Sequence, residues 1–271
     1  MTPSPAPKQS LGLRLNILTL RFARHWLRYA LIFLGLYATL PFVAPTLMKL
    51  GLEGPARVLY MAYSPFCHQF AFRSFFLFGE QPAYPRAITG TSETPFESVI
   101  ANDPIFYSHY AYWFRAYNSE VEPPANFPEQ AEMVQFTPWY QFASRDFVGN
   151  DQVGYKVSLC ERDVAIYLMM FLGGFLYSRP FVRRRLRPVP LLLYIFLGLG
   201  PIGIDGVSQL LGYPPFNLWE ARETLPIFRV LTGAVFGFMT AWLVFPHFDI
   251  SMRETREEIE LKLANKGIVV K

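Results

Sequence analysis

An all-α membrane protein with four transmembrane helices is the fold class that this sequence predicts. Three observations carry it: charge-free apolar stretches of membrane-crossing length, an arginine loop without acids, and glycines at helix-packing intervals. An interfacial helix and a loop-rich outer cap are expected between the first and second spans. The chain has 271 residues, 52% hydrophobic, 17% aromatic and only 17% charged, against about 25% charged in a soluble domain. Twenty-three prolines argue for interrupted segments rather than one continuous bundle. No segment interleaves aromatic and basic residues as a nucleic-acid surface does, so that class of partner is excluded and the lipid bilayer is the expected one.

Residues 1–28 form a Pro- and Ser-rich tail, with Lys8, followed by a basic amphipathic helix. Arg14, Arg21, Arg24 and Arg28 share one side of the wheel, with Leu15, Ile17, Leu18, Phe22 and Trp26 around the rest. The pattern suits a helix on an anionic leaflet, or the cytoplasmic end of the first span. The start lacks the basic end and apolar run of a signal peptide, so the spans are expected to stay in the mature chain. Tyr29 to Met48 carries no charge over 20 residues, enough to cross roughly 30 Å of hydrocarbon. Residues 29–50 are therefore the first span, with Pro41 and Pro45 loosening its second half.

The other spans are expected at 161–178, 189–212 and 225–246. Between the second and third, residues 179–188 contain Arg179, Arg183, Arg184, Arg185 and Arg187 and no acid, which assigns this loop to the cytoplasm. Both the N-terminal tail and the mixed-charge tail 247–271 agree, so both termini are expected inside. The inner membrane of a prokaryote is the expected location. Residues 213–224 then form a short outer loop, and 51–160 an outer cap. Within the cap, 58–78 reads as an interfacial or re-entrant helix, because a fifth crossing would put the arginine loop outside. Thr94 to Asn118 reads as an amphipathic helix rich in aromatics, and Pro123, Pro124, Pro128 and Pro138 as an ordered loop after it.

Polar residues fall where lipid is expected. Arg162 opens the second span, Asp205 and Gln209 share a face of the third, and Arg229 lies early in the fourth. All fall in the outer half of the bilayer, where charges should face inward and pair. Asp205 is expected beside Arg229 or Arg162, with Gln209 close by. Such residues serve as glue between helices or line a pocket opening outward. Gly173-Gly174 and Gly233-x-x-x-Gly237 are expected helix-packing positions. His25, His109 and His247 are isolated and read as interfacial.

The ordered blocks Cys67-His68-Gln69, Arg73-Ser74-Phe75 and Gly79, then Cys160-x-Arg162-Asp163-x-Ala165-Ile166-Tyr167, resemble the domain-of-unknown-function 2085 family of prokaryotic integral membrane proteins. Pro201-x-x-Ile204-Asp205-Gly206-x-x-Gln209, Arg222-Glu223 and Thr232-Gly233-x-x-x-Gly237 continue the resemblance. Many members look like Cys-His in the first block and Cys-x-x-Cys in the second, a set that suits a thiolate–imidazole metal site. Here the second pair reads Cys160-x-x-Asp163, a hard ligand in place of a soft one. The resemblance implies an outer-face motif of Gln69, Arg73, Arg222 and Glu223, and it transfers no activity.

Cys67 and Cys160 both fall outside in this topology. A disulfide, two free buried thiols, and a metal site of Cys67, His68, Cys160 and Asp163 all remain open. No Ser-His-Asp order or phosphate-cradling glycine loop is visible, and no catalytic residue is assigned. No cofactor is expected, with a metal ion as the alternative. The leading reading is an accessory subunit packing against other membrane subunits, with an electron-transfer complex of an energy-transducing membrane as the expected host. The alternatives are a metal- or redox-linked protein using the Cys/His/Asp set, and a small transporter or enzyme with an outward pocket at Asp205.

Overall fold

The computed structural model describes residues 11–124 and 136–268. The Pro- and Ser-rich start with Lys8, and Pro128, Glu129, Glu132 and Lys271, lie outside them. The protein is mostly helical, at 68%, and among the described residues three helices are long and apolar enough to cross a membrane.

The first begins as α1 (Leu11–Thr39), so the basic segment and the apolar span are one unbroken helix. A 3₁₀ turn at Leu40–Phe42, where Pro41 removes a donor, hands over to α2 (Val43–Lys49). The second is α9 (Leu191–Gly212), with a π-helical stretch at Tyr194–Leu199 just before Pro201. The third is α10 (Pro226–Ala264), which continues through Pro246 well into the expected tail. A fourth apolar helix, α7 (Glu161–Tyr177), has 17 residues and a rise of about 25 Å. It lies against both α1 and α10. A short helix, α8 (Pro180–Arg185), carries the arginine loop.

All four expected packing glycines lie on the α7–α10 seam. A Cβ on Gly237 would stand 2.9 Å from Ile166 Cα, and one on Gly233 2.6 Å from the Arg162 carbonyl. On the opposite helix, Cβ atoms on Gly173 and Gly174 would meet Ala241 and Phe245 at 2.7 and 2.5 Å. The two backbones approach closely only because these positions lack side chains.

Residues 53–124 and 136–160 build a head at one end of the helices, and here the all-α expectation needs correction. The helix expected over 58–78 is real only as part of α3 (Glu53–Tyr63). Ser74–Leu77 is instead strand β1 of a three-stranded antiparallel sheet ordered β1-β3-β2, with β2 at Gly149–Asn150 and β3 at Gly154–Cys160. Ser74 pairs with Cys160 and Leu77 with Tyr155. The physical reason is partnership: a four-residue apolar run is neutral between helix and strand until a second strand pairs its backbone. Gly154, at φ 80°, permits the turn, since a Cβ there would stand 2.5 Å from the Gly79 nitrogen.

The helix expected over 94–118 is two pieces, α4 (Phe96–Ile100) and α5 (Pro104–Tyr117). The break falls at Asp103, whose carboxylate caps α5 by accepting from Phe106 N–H at 2.8 Å, with Pro104 in the first helical position. Pro138, expected in a loop, likewise starts helix α6 (Pro138–Asp146). The head has its own aromatic core, in which Phe72, Phe76, Phe96, Phe106, Tyr140 and Phe147 are buried together.

Candidate functional site: a charge network between head and helices

Each element at the junction of head and helices brings polar groups to a common centre. The 3₁₀ turn before β1 supplies Arg73, the start of α7 supplies Glu161 and Arg162, and α9 supplies Asp205 and Gln209. The link from α9 to α10 supplies Tyr213, Arg222, Glu223 and Thr224, and the first turn of α10 supplies Arg229.

Two carboxylates organise these groups. Asp205 Oδ2 receives Arg162 and, at 3.2 Å, Gln209 Nε2. Its Oδ1 receives Arg222 at 3.0 Å and the Thr224 hydroxyl at 2.5 Å. Glu223 is clasped by Arg73 on one side and Arg229 on the other, and it accepts from the Tyr213 hydroxyl at 3.0 Å. Burial would raise the Glu223 carboxyl, but the Arg73 and Arg229 guanidiniums outweigh it and bring it down to about 2. Burial pushes the Tyr213 hydroxyl up, so it stays a donor.

The chain of contacts continues into the head. Arg86 donates to the Tyr213 oxygen at 3.0 Å and to Glu97 at 3.2 Å. Its guanidinium lies within 6 Å of the Phe72, Phe136 and Tyr140 rings, while Arg73 lies over Phe70, Phe72 and Phe136. The aromatic faces stabilise two like charges that share the rings Phe72 and Phe136. Glu161 is the exception: it is 1% exposed, neither oxygen has a hydrogen bond, and Arg229 Nε stands 4.0 Å away.

Asp205 therefore pairs with Arg162 and Arg222, while Arg229, the other expected partner, turns to Glu223. Arg73, Arg222 and Glu223, taken from the sequence only as an outer-face motif, join the same network. Gln69 does not. Its side chain donates to the Tyr60 and Ser158 carbonyls at 2.8 and 2.9 Å, and its own carbonyl accepts from Lys156 at 2.8 Å. Lys156 is fully buried, its ammonium surrounded by the Gln69, Ser144 and Arg145 carbonyls, and burial brings it down to about 7.

A cavity of about 780 Å³ lies on this network. Arg73, Gln141, Arg162 and Gln209 are among its polar lining, and Phe136, Leu210 and Pro214 among its apolar lining. Two of the lining groups, Arg162 Nε and the Thr137 hydroxyl, are buried without a hydrogen-bond partner. Native proteins rarely leave such groups unmet without water, an ion or a ligand to meet them.

The thiols form a second, smaller constellation. Both cysteines are free, and their sulfurs lie with the Asp163 carboxylate within 4.8 Å of one another. Cys67 Sγ accepts the Cys160 N–H at 3.2 Å and the Gln69 N–H at 3.4 Å. The hydrogen bond with Cys67, together with burial, pushes the Cys160 thiol well up. His68 is exposed beside Phe70 and stands outside this group. Two sulfurs and one carboxylate make three donors where a closed zinc site takes four.

Sequence reasoning missed Arg86, Glu97, Tyr213, Thr224 and Thr137. No local pattern marks them, since their partners arrive from elements far apart in the chain. Tyr213-Pro214-Pro215 was the one visible signal, a rigid aromatic turn at the end of an apolar helix.

The fold is that of a membrane protein with several apolar helices and a polar, aromatic-cored head, in contact with the lipid bilayer. Residues 143–243 match the family model described as "Predicted membrane protein (DUF2085)". The match takes in Glu161, Arg162, Asp205, Gln209, Glu223 and Arg229, and begins beyond Cys67 and Arg73. An uncharacterized protein of Methanocaldococcus jannaschii is 29% identical over 96 residues, covering 35% of this chain and 55% of that protein. The matched region thus spans about half of that relative's length. No solved structure matches the chain.

Proposed function

We propose that this protein binds an amphiphilic ligand with an anionic head in the cavity between head and helices. The observation that supports it most is the pair of unmet groups, Arg162 Nε and the Thr137 hydroxyl, lining a mainly apolar space beside Arg73. Glu223 and Asp205 hold the Arg73 and Arg162 guanidiniums in place, so little side-chain ordering is left for binding. The apolar wall suits the ligand's body and the guanidinium wall its carboxylate or phosphate.

In this reading the head faces outward and the arginine loop faces the cytoplasm of a prokaryotic cell, with both termini inside. α7 is the second of four spans, its 17 residues extended at the outer end by the Cys160 turn. Cys67 and Cys160 act as a latch between head and α7 rather than as a reaction centre.

Thermal unfolding of the purified chain with added dodecyl phosphate or dodecanol tests the proposal. Dodecyl phosphate should raise the midpoint, dodecanol should not, and Thr137→Val and Arg162→Gln should each reduce the shift. Equal effects of the two amphiphiles would overturn it.

A second reading, an accessory subunit of a membrane complex, is favoured by α9. Its outward face is apolar and unpartnered, with Ile204 72% exposed and Phe196, Val207 and Leu210 exposed beside it. Purification in mild detergent distinguishes it, because recovery of the chain alone as a monomer at full yield argues against a partner.

A further inference from the structure

The other end of the helices carries a second polar centre, which the ligand pocket does not use. Asp249 of α10 is buried, and its carboxylate accepts from Trp26 at 3.3 Å, Tyr177 at 3.2 Å and Arg183 Nε at 3.1 Å. Arg253 adds a further bond at 2.5 Å. One carboxylate thus holds two guanidiniums, and positive charge is left over. A cup of about 530 Å³ opens beside it, lined by Arg24, Arg183, Arg184, Arg253 and Arg256 against the acids Asp249 and Glu257. Glu260 holds Arg24 at 3.0 Å from behind, so five guanidiniums face three carboxylates. The Nε of Arg256 is buried without a hydrogen-bond partner, with Glu260 4.0 Å away as its nearest acid, and no acid among the described residues pairs with Arg184.

A second cavity of about 420 Å³ shares Arg24, Trp26, Ser178 and Arg183 with the cup and runs along α1 past His25, Leu27 and Arg28 to Leu31 and Ile32. From Arg24 to Ile32 the helix rises about 12 Å, and its wall passes from the guanidiniums of Arg24 and Arg28 to the apolar Leu31 and Ile32. The two cavities together have the polarity of one lipid: a basic cup with room for a whole headgroup, continuing into a groove that ends on apolar side chains.

We infer that this is a binding site for one anionic phospholipid, its phosphate in the arginine cup and an acyl chain along α1. A basic pocket between helices at the membrane surface is where anionic headgroups gain most from guanidiniums. Asp249 has a positioning role: it uses the Nε and one terminal nitrogen of Arg183 and leaves the remaining guanidinium edge to the cup.

The test uses the full-length protein in neutral detergent with equal amounts of phosphatidylglycerol and phosphatidylcholine. Lipid retained per chain is counted by native mass spectrometry. One phosphatidylglycerol should be retained in preference to phosphatidylcholine. The double variant R184Q/R256Q, neither residue of which bonds Asp249, should lower that preference about 25-fold, at about fivefold per basic residue. R185Q/R187Q, in the same loop but outside the cup, should leave it nearly unchanged. If the double variant is not recovered folded, R184Q alone carries the test with a fivefold loss. Equal retention of the two lipids would overturn the site. So would an equal loss in both double variants, which would indicate a diffuse basic surface. Millimolar inorganic phosphate that displaces the lipid and itself stays bound would show a free-phosphate site instead, and would also overturn the proposal.

Discussion

Both ends of the helices clasp a carboxylate between guanidiniums, yet the two clasps differ in how far apart their parts lie in the chain and how deep they sit. At the head, Glu223 meets Arg73 from 150 residues away and Arg229 from 6 residues away, and the Glu223 and Arg229 side chains are almost wholly buried. At the arginine-loop end, Asp249 is just as buried, but Arg183 is 35% exposed and Arg253, one turn along the same helix, 52%. The same chemistry serves two ends. Where both partners lose water, the pair contributes mainly by not being broken, since an orphaned buried charge is the expensive state. Where the guanidiniums keep one side in water, they remain able to bind something else.

That difference can be broken from the buried end first. Glu223→Gln strands Arg73 and Arg229 and should cost about 3–5 kcal/mol, read as a lowered unfolding midpoint in detergent. The same carboxyl gives the pH dependence its sign. Depressed from 4.5 to about 2 in the folded chain, it contributes fully above pH 4.5 and loses that contribution as pH falls to 2. An acid titration that shows no loss of stability over that window in excess of the E223Q variant would contradict the clasp. Asp249→Asn should cost less, about 2 kcal/mol, because its arginines stay partly hydrated. Equal losses in E223Q and D249N would remove the distinction between the two ends.

Gly237→Ala probes the seam that holds both clasps in register. Its methyl would press on the Ile166 backbone, and about 1–3 kcal/mol should be lost. The smallest effect is expected for Arg222→Gln. Its 43% exposed side chain shares Asp205 with Arg162, so its removal should cost no more than about 1 kcal/mol. Measured together, these variants rank burial against pairing as the source of stability.

Much of the helical part was legible because lipid imposes a simple rule: apolar runs of about 20 residues are long enough to cross. The i and i+4 placement of Asp205 and Gln209 was legible for the same reason, since a polar pair inside an apolar helix has few explanations. The sheet was not. Ser74-Phe75-Phe76-Leu77 becomes a strand through pairing with residues some 80 positions later, and no window along the chain contains both halves. Gly154-Tyr155-Lys156-Val157, preceded by the turn Asn150–Val153, carried the hairpin signal that the aromatic-rich surroundings obscured. Arg86 and Glu97 were missed because their partners come from separate elements: Tyr213 lies 127 residues from Arg86, and nothing local marks a buried guanidinium there. The Asp249 clasp was missed since its acid lies beyond the expected end of the last span.

Helix α10 carries Arg229 of one clasp and Asp249 of the other, 20 residues apart on a single unbroken helix. That separation is about 30 Å, the thickness of a bilayer's hydrocarbon core. A helix held this way is pinned at two points about 30 Å apart. Sliding by one turn, or rotating to a new face, would break two ion clusters at once rather than one after the other. The helix therefore behaves as a bolt shot into two sockets, and motion in this protein has to come from the parts around it.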